Sequence, residues 1–337
     1  MRIFIAGATG VIGRRLVPQL VAEGHQVTAL SRRSQVAGVT TVQGDVYDAA
    51  GLREVVAAAR PDVVMHQLTD LTSRDFAANG RIRREGTRNL VDAALAAGVR
   101  RVISQSVAWA YEPGETPADE STPLDLHTTD ERRRGTVDAI ATLEAITAEA
   151  PEWVVLRYGM LYGPDTWYTK GALMADLATS GQLPANADVT SFLHVDDAAT
   201  AAQASLTWPS GPVNIVDNDP APATAWLPVF AASVGAPTPP VDTTSTGTAT
   251  PPSTSPAGAS TSTSTTTLGT TAPAGASTSA STTTPGTTPP AGASISAGTA
   301  AQPSAPRTPW ARGATNAYAN SLGWAPAHPT WRTGFLA

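Results

Sequence analysis

The chain has 337 residues, a formal net charge of −6 and no cysteine. The missing cysteines exclude disulfides, thiolate nucleophiles and cysteine-based zinc sites. The acidic balance, without a large basic cluster, argues against a nucleic-acid partner. No run approaches the roughly 20 apolar residues of a membrane span, and the apolar run at 3–6 is too short for a secretory signal. These features predict a cytoplasmic protein, not bound to a membrane, whose partner is a small molecule; they leave a homodimer open.

Short apolar runs alternate with helical patterns from Arg2 to about Val216. The runs are RIFIA, QVTAL, VTTVQ, DVVMH, RVISQ, WVVLR, FLHV and VNIV. Nearly continuous apolar strands separated by helices are typical of a parallel sheet that helices cover on both faces. The pattern therefore predicts a doubly wound α/β domain. Pro18 lies inside the first helical pattern and should weaken or kink that helix.

The composition changes at 237–306, where Thr, Ser, Pro and Gly dominate and the motif PAGAS occurs three times. Each repeat lacks the apolar side chains that a stacked solenoid would bury, so the segment is predicted to be a disordered insertion. It separates a main domain at 1–236 from a closing segment at 307–337. Large side chains of that closing segment need a core to pack against: Trp310, Tyr318, Leu322, Trp324, Trp331 and Phe335.

The first strand is followed by the glycine-rich stretch GATGVIG at 7–13. Gly7 permits a tight turn, Gly10 lets backbone amides approach a diphosphate, and Gly13 allows the helix to pack closely on its strand. The unpaired N–H groups at the start of the helix then face the anion. A strand before the motif and a helix after it are the context that dinucleotide binding requires. The predicted cofactor contacts are Gly7, Thr9, Gly10, Val11, Ile12 and Gly13.

The second strand ends at Arg32 and Arg33, without an acidic residue at its tip. A carboxylate there would accept from the adenosine ribose and repel a 2′-phosphate, whereas arginine binds that phosphate with two parallel hydrogen bonds. NADP is therefore favoured over NAD as the cofactor. After the third strand, Asp45 and Val46 are placed to contact the adenine.

Several motifs in this order resemble the extended short-chain dehydrogenase/reductases, also called the NAD-dependent epimerase/dehydratase family. They are GATGVIG, GDV at 44–46, DVVMHQ, REGTRNLVDAA, ISQS, LRYGMLYGP, SFLHVDDAA, VNIVD and LGWAP. The resemblance implies a Rossmann domain with a seven-stranded sheet and a small C-terminal substrate lobe formed after about Tyr158. It also implies a crevice outside the carboxyl ends of the strands. Cofactor contacts are expected there at Gln67, Leu68 and Ser104.

The family's catalytic pattern is incomplete in this chain. The resemblance implies a Ser or Thr at the end of the fifth strand, which Ser106 matches, and a Tyr followed four residues later by Lys. Glu144 resembles the family's acidic residue four places after the lysine. This alignment places Thr136 at the tyrosine position and Ile140 at the lysine position. A phenol beside an ammonium can transfer a proton near neutral pH, which threonine and isoleucine cannot do. Lys170, in a later loop, is interpreted as a surface or substrate-pocket residue.

Another hydroxyl in the crevice is the candidate replacement for the lost tyrosine. Tyr111 and Tyr158 are the proposed proton donors, with packing aromatics as the alternative interpretation. Ser106 is expected to hydrogen-bond the reacting oxygen. Other side chains expected in the crevice are Trp109, Tyr162, Thr69 and Thr136.

Two further groups of side chains allow a functional interpretation. The run His194-Val195-Asp196-Asp197 suggests a metal pair, but alternate residues of a strand point to opposite faces and no third ligand is evident, so no metal site is predicted. Capping of the next helix by Asp196 or Asp197 is the interpretation instead. The run at 131–134 is interpreted as a solvated helix start, with substrate contact by its arginines as the alternative.

The leading hypothesis is an NADP-dependent oxidoreductase of the epimerase/dehydratase type, acting on a small carbonyl or alcohol compound. One alternative is a non-catalytic protein that binds NADP(H) as a regulator or sensor. A sugar-nucleotide epimerase or dehydratase is the other alternative, and the loss of tyrosine and lysine weakens it most directly.

Overall fold

The computed structural model describes residues 1–70, 76–241 and 312–336. The predicted disordered insertion therefore lies almost entirely outside the described residues, as does Trp310. The partition of the chain into three segments stays a prediction.

Each apolar run of the sequence forms a strand. The strands of the described residues are β1 (Arg2–Ala6), β2 (Gln26–Ser31), β3 (Thr40–Gln43), β4 (Val63–His66), β5 (Arg101–Val107), β6 (Glu152–Tyr158), β7 (Met160–Tyr162), β8 (Val189–Thr190), β9 (Phe192–His194), β10 (Gly211–Ile215) and β11 (Ala221–Pro222). Three of them, β7, β8 and β11, are further short strands that the runs did not predict.

Seven of these strands form one parallel sheet, in the order β10-β6-β5-β4-β1-β2-β3. The predicted doubly wound fold and its seven-stranded sheet are therefore confirmed. The direction of winding reverses between β1 and β4, whose ends are in register because Ala6 pairs with His66. The segments that follow these two strands leave the sheet side by side, which is where such folds place their ligand crevice.

Helices cover both faces of this sheet. They are α1 (Gly13–Ala22), α2 (Ala49–Ala59), α3 (Phe76–Arg81), α4 (Thr87–Ala96), α5 (Glu131–Thr147), α6 (Leu173–Thr179), α7 (Val195–Ala204), α8 (Ala223–Val234), α9 (Ala317–Ser321) and α10 (Trp331–Gly334). A π-helical turn, Ile82–Gly86, joins α3 to α4, and a 3-10 turn, Ser205–Thr207, follows α7. Pro18 lies inside α1, which continues through it.

Two apolar cores sandwich the sheet. On one face α1 and α7 pack against the strands, with Leu16 and Leu20 fully buried. On the other face α2 and α4 pack, with Leu52 and Leu90 fully buried. Strands buried on both sides explain why the sequence shows continuous apolar runs rather than alternation.

A third core, rich in aromatic residues, is built after β6. The FLHV run does not join the seven-stranded sheet, since β9 pairs only with β7. Phe192 of β9 packs instead against aromatic side chains of α8 and of the closing segment, including Trp226 and Trp331. Trp324 is buried in the core on the α1 face. The closing segment therefore packs on the aromatic core and on the core of the α1 face, as its large side chains predict.

None of the helices in the described part of the chain combines the length and the apolar character needed to cross a membrane.

Candidate functional site

The loop between β1 and α1 is held against the end of β4. Gly7 has a φ of +105°, and a Cβ there would collide with the carbonyl of Gln67. A Cβ at Gly13 would collide with the carbonyl of Gly7. Side chains at these two positions are excluded because backbone segments approach each other directly, which brings the loop to the sheet's switch point.

Backbone donors are left open at the start of α1. The Gly10 amide donates to the Gly7 carbonyl at 3.0 Å. Among the described residues, no atom accepts a hydrogen bond from the amides of Val11 and Ile12. Thr9 and Gly10 are exposed beside them. Unpaired amides at the start of a helix suit a diphosphate, so the loop fits the cofactor that its sequence predicts.

The residues predicted to contact the adenosine half lie after β2 and β3. Arg32 and Arg33 are exposed, and neither guanidinium has an ion pair with any described residue. Asp45 is half-buried, and one of its carboxylate oxygens accepts from the Tyr47 amide at 3.0 Å. Val46 is buried. The two arginines are therefore available for an anion.

The ends of β4 and β6 bring Gln67 close to Tyr158. Gln67 is 5% exposed, its Oε1 lies 3.4 Å from the Tyr158 hydroxyl, and its Nε2 has no hydrogen-bond partner. Leu68 uses its carbonyl to accept from Gln105. A buried amide donor without a partner is costly, so the Gln67 side chain suits a ligand oxygen in the crevice.

Ser104 does not offer its hydroxyl to the crevice. The side chain is fully buried, and its oxygen accepts a hydrogen bond from Thr147 of α5 at 2.8 Å. The Ser104 hydroxyl joins β5 to α5, so any cofactor contact must come from its backbone.

Ser106 belongs to a charged network between β5, α5 and β6. Its hydroxyl donates to the Glu144 carboxylate at 2.7 Å. The same carboxylate forms an ion pair with Arg157 at 2.6 Å, and both charged side chains are largely buried. Arg157 was not identified from the sequence. The Ser106 proton is therefore held by Glu144, while the hydroxyl oxygen keeps its capacity to accept.

The two candidate tyrosines are held in protein contacts. Tyr111 donates to Asn214 and accepts from Arg157 at 2.9 Å. Burial raises the pKa of Tyr111 to about 12, and burial also raises the pKa of Tyr158 well above its ordinary value. Both phenols therefore hold their protons firmly at neutral pH.

The positions of the family's tyrosine and lysine carry no proton relay. The Thr136 hydroxyl donates to the backbone carbonyl of Arg132 at 3.1 Å. Ile140 is fully buried in an apolar cluster with Val137. Of the other predicted crevice residues, Tyr162 is buried in the aromatic core, Trp109 is half-buried, and Thr69 and Lys170 are exposed.

The interpretation of residues 131–134 as a solvated helix start is wrong for Arg133. This residue is 3% exposed, forms an ion pair with Asp125 at 2.6 Å and donates to the Tyr111 carbonyl at 2.8 Å. Arg133 thus ties α5 to the loop after β5. Desolvating a guanidinium requires such partners, and the sequence alone did not show them.

The predicted cap of α7 is also wrong, because His194 is the cap. Its Nδ1 accepts from the Asp196 amide at 3.3 Å, while Asp196 and Asp197 lie in the first turn. Asp197 accepts from the amides of Ala327 and His328, each at 2.9 Å. These bonds fasten the closing segment to α7.

His328 supplies the third potential metal ligand that the sequence did not reveal. One ligand atom each of His194, Asp197 and His328 lies within 4.8 Å of the others. However, the two imidazoles stack with centroids 3.7 Å apart and planes 22° apart. Lone pairs in nearly parallel planes do not converge on one ion, and His194 Nδ1 is already an acceptor. The arrangement favours a structural role.

The family of the chain follows from comparisons with known proteins. The model of the NAD-dependent epimerase/dehydratase family matches residues 3–216. A Streptomyces protein named 3-diazoavenalumate denitrifying reductase is 39% identical, with 99% of each chain covered. The UDP-glucose 4-epimerase of Thermotoga maritima, solved with UDP-glucose, has a TM-score of 0.64 at 16% identity, covering 100% of this chain and 96% of the other.

A second solved structure is the Bordetella bronchiseptica enzyme WbmG in complex with NAD and UDP. It has a TM-score of 0.59 at 24% identity and covers 72% of this chain and 82% of the other. At these identities the solved structures show the fold. The chain belongs to the NAD-dependent epimerase/dehydratase family, and it is an NAD(P)-dependent oxidoreductase.

Asp217, directly after β10, is a buried carboxyl at the anchor of the closing segment. It accepts from the amides of Asp219 at 3.1 Å and Trp331 at 2.9 Å. Burial raises its pKa from 3.8 to about 7. Between these two pH values, the folded protein therefore keeps a proton on the Asp217 carboxyl that the unfolded chain releases.

We predict that Asp217→Asn reduces the pH dependence of stability. A raised carboxyl pKa stabilises the fold below the unfolded value of 3.8, and this contribution is lost as the pH rises toward about 7. Urea unfolding of the wild type between these two pH values should show this loss, and Asp217→Asn should lack it. Asp138→Asn, an exposed position of α5, should behave as the wild type. Parallel pH profiles for the wild type and Asp217→Asn would contradict the prediction.

Proposed function

We propose that this chain is an NADPH-dependent reductase that removes nitrogen from an aryl diazo compound. The observation that carries the proposal is the loss of the family's proton relay, at Thr136 and Ile140, in a chain whose dinucleotide loop is intact. The relative that covers the full length carries the name of a denitrifying reductase of a diazo compound, which supports the same reaction class.

A carbonyl substrate and a diazonium substrate differ in whether their reduction by hydride needs a proton. Hydride addition to a carbonyl leaves an alkoxide, which a side chain must protonate. An aryl diazonium is a cation, and hydride addition to its terminal nitrogen gives a neutral aryldiazene. Loss of N2 from the aryldiazene, with its hydrogen kept on the ring carbon, gives the arene. The sum is one diazonium and one NADPH converted to one arene, one N2 and one NADP⁺, with no proton taken or released.

In this reaction the residues of the crevice bind and orient the cofactor and the substrate. A bound reduced nicotinamide supplies the hydride. The amides of Val11 and Ile12 hold the diphosphate, and Arg32 with Arg33 holds the 2′-phosphate. The unpartnered Nε2 of Gln67 orients a ligand oxygen. None of these tasks moves a proton. The carbonyl or alcohol substrate expected from the sequence stays a prediction, and it is less favoured because Tyr111 and Tyr158 both hold their protons.

Replacing Arg32 and Arg33 together by alanine should separate the two cofactors. Charged hydrogen bonds contribute about 1.5–3 kcal/mol each, so the NADPH dissociation constant should rise by about 10-fold or more while that of NADH changes little. Fluorescence titration with both nucleotides measures this. Arg53→Ala, an exposed arginine of α2, is the matched control. Equal losses for NADPH and NADH would show that the arginines do not contact the 2′-phosphate.

The reaction class is tested with an aryl diazonium and the aryl aldehyde of the same skeleton. With the diazonium, NADPH oxidation should match N2 release one to one, and the rate in D2O should equal the rate in H2O. The aldehyde should react about 100-fold more slowly or worse, because acid catalysis contributes about 10²–10⁴-fold and is missing here. Reactions without protein correct for spontaneous decomposition. Faster reduction of the aldehyde, or a large solvent isotope effect with the diazonium, would overturn the proposal.

A further inference from the structure

Arg83 is a buried cation without a partner. It lies in the π-helical turn Ile82–Gly86 and is 7% exposed. Among the described residues, none forms an ion pair or a hydrogen bond with its guanidinium. Every other largely buried arginine of the described chain, Arg133 and Arg157, has a carboxylate partner.

The surroundings of Arg83 place it between the end of β4 and α5. Burial lowers the pKa of His66, the last residue of β4, and the nearby charge of Arg83 lowers it further. The charge of Arg83 is itself favoured by Glu144 of α5. However, Glu144 already binds Arg157 and Ser106, so it does not neutralise Arg83. Ile140, which has the position of the family's lysine, lies one helical turn before Glu144.

The local backbone is unusual at this point. A π-helical turn rotates the side chains that follow it relative to an α-helix, and such turns are frequent at functional sites. The turn packs against α5. The guanidinium nitrogens of Arg83 also retain a small opening, because none of them is among the side-chain nitrogens fully sealed from solvent. The guanidinium is therefore not completely closed off from solvent.

The energetics argue against a purely structural role. Burial lowers the pKa of Arg83 to about 10, which shows that the fold disfavours the charged form. An unpaired charge destabilises a folded protein, and such groups are retained where function requires them.

We infer that the Arg83 guanidinium binds an anionic oxygen, a carboxylate or phenolate, of the ligand in the crevice between α5 and the ends of β4 and β5. It supplies, from the turn between α3 and α4, the positive charge that the family resemblance places at position 140. The inference rests on the proposed function only for the expectation that the substrate is an aryl compound. The cofactor also carries anionic oxygens, on its phosphates, and the test separates the two sources.

The experiment compares Arg83→Gln and Arg83→Lys with Arg84→Gln, an exposed arginine of the same turn. The probes are NADPH alone, cinnamate added to the NADPH complex, and cinnamamide, which has the same shape without the charge. Calorimetry measures each affinity, and thermal unfolding without ligands measures stability. Circular dichroism confirms that each variant is folded.

The inference predicts that Arg83→Gln weakens cinnamate binding at least 10-fold, leaves NADPH and cinnamamide binding unchanged, and raises the unfolding temperature. Arg83→Lys should keep part of the cinnamate affinity, and Arg84→Gln should match the wild type in every measurement. A loss confined to NADPH binding would overturn the assignment to substrate and move the oxygen to the cofactor. Unchanged cinnamate affinity in Arg83→Gln, or a wild type that does not prefer cinnamate to cinnamamide, would overturn it outright. If cinnamate binds through Arg83 but the protein does not reduce a diazonium, the proposed function is wrong and the inference about Arg83 stands.

Discussion

The amides of Val11 and Ile12 have no acceptor among the described residues, and this pair of open donors determines how the rest of the crevice is arranged. They are open because α1 begins at the sheet's switch point, where the loop from Gly7 is pressed against the end of β4. An anion at this point receives two directed hydrogen bonds and the positive end of a helix dipole. A dinucleotide held there would have the residues after β2 and β3 on one side and those after β4 and β5 on the other.

The polar groups on the β5 side are mostly bonded to one another. Glu144 links Ser106 to Arg157, and Arg157 links onward to Tyr111. Such a network fixes the relative positions of β5, α5 and β6, and burial raises the pKa of its Tyr111 phenol to about 12. This arrangement supports the proposed hydride transfer to a substrate that is already electron-poor. In the described part of the chain near the ends of β4 and β5, the Gln67 amide and the Arg83 guanidinium lack such partners, and both are donors.

Much of this fold could be predicted from the sequence. Strands buried on both faces give continuous apolar runs, and the glycines at 7, 10 and 13 mark a loop with a known geometry. The FLHV run was harder, because its apolar residues pack in the aromatic core rather than in the main sheet, and a short apolar run does not say which core it enters. The cap of α7 was missed because the helix begins at Val195 and not at Ala198, so that Asp196 and Asp197 lie in its first turn. Asp197 binds the closing segment, which is distant in the chain.

The site was less predictable, because the sequence does not show which side chains the fold brings together. Arg133 lies in a polar run that resembles a solvated helix start, and only the fold reveals Asp125 beside it. Arg83 lies in the sequence RIRREG, where nothing distinguishes it from the exposed Arg81 and Arg84. The π-helical turn makes that distinction, and backbone geometry of this kind is not readable from residue types alone.

Calorimetric titration of NADPH into the wild type, Thr9→Glu and Thr9→Gln tests whether the open amides at the start of α1 bind the diphosphate of a nicotinamide dinucleotide. Thr9 is exposed beside the amides, so both side chains fit, but only glutamate adds a negative charge there. We expect one NADPH bound per wild-type chain, a small change in Thr9→Gln and a loss of affinity of about 100-fold or more in Thr9→Glu, because like charges at such a site are strongly unfavourable. Equal affinity of the two variants for NADPH, or no heat from the wild type, would show that these amides do not bind the diphosphate.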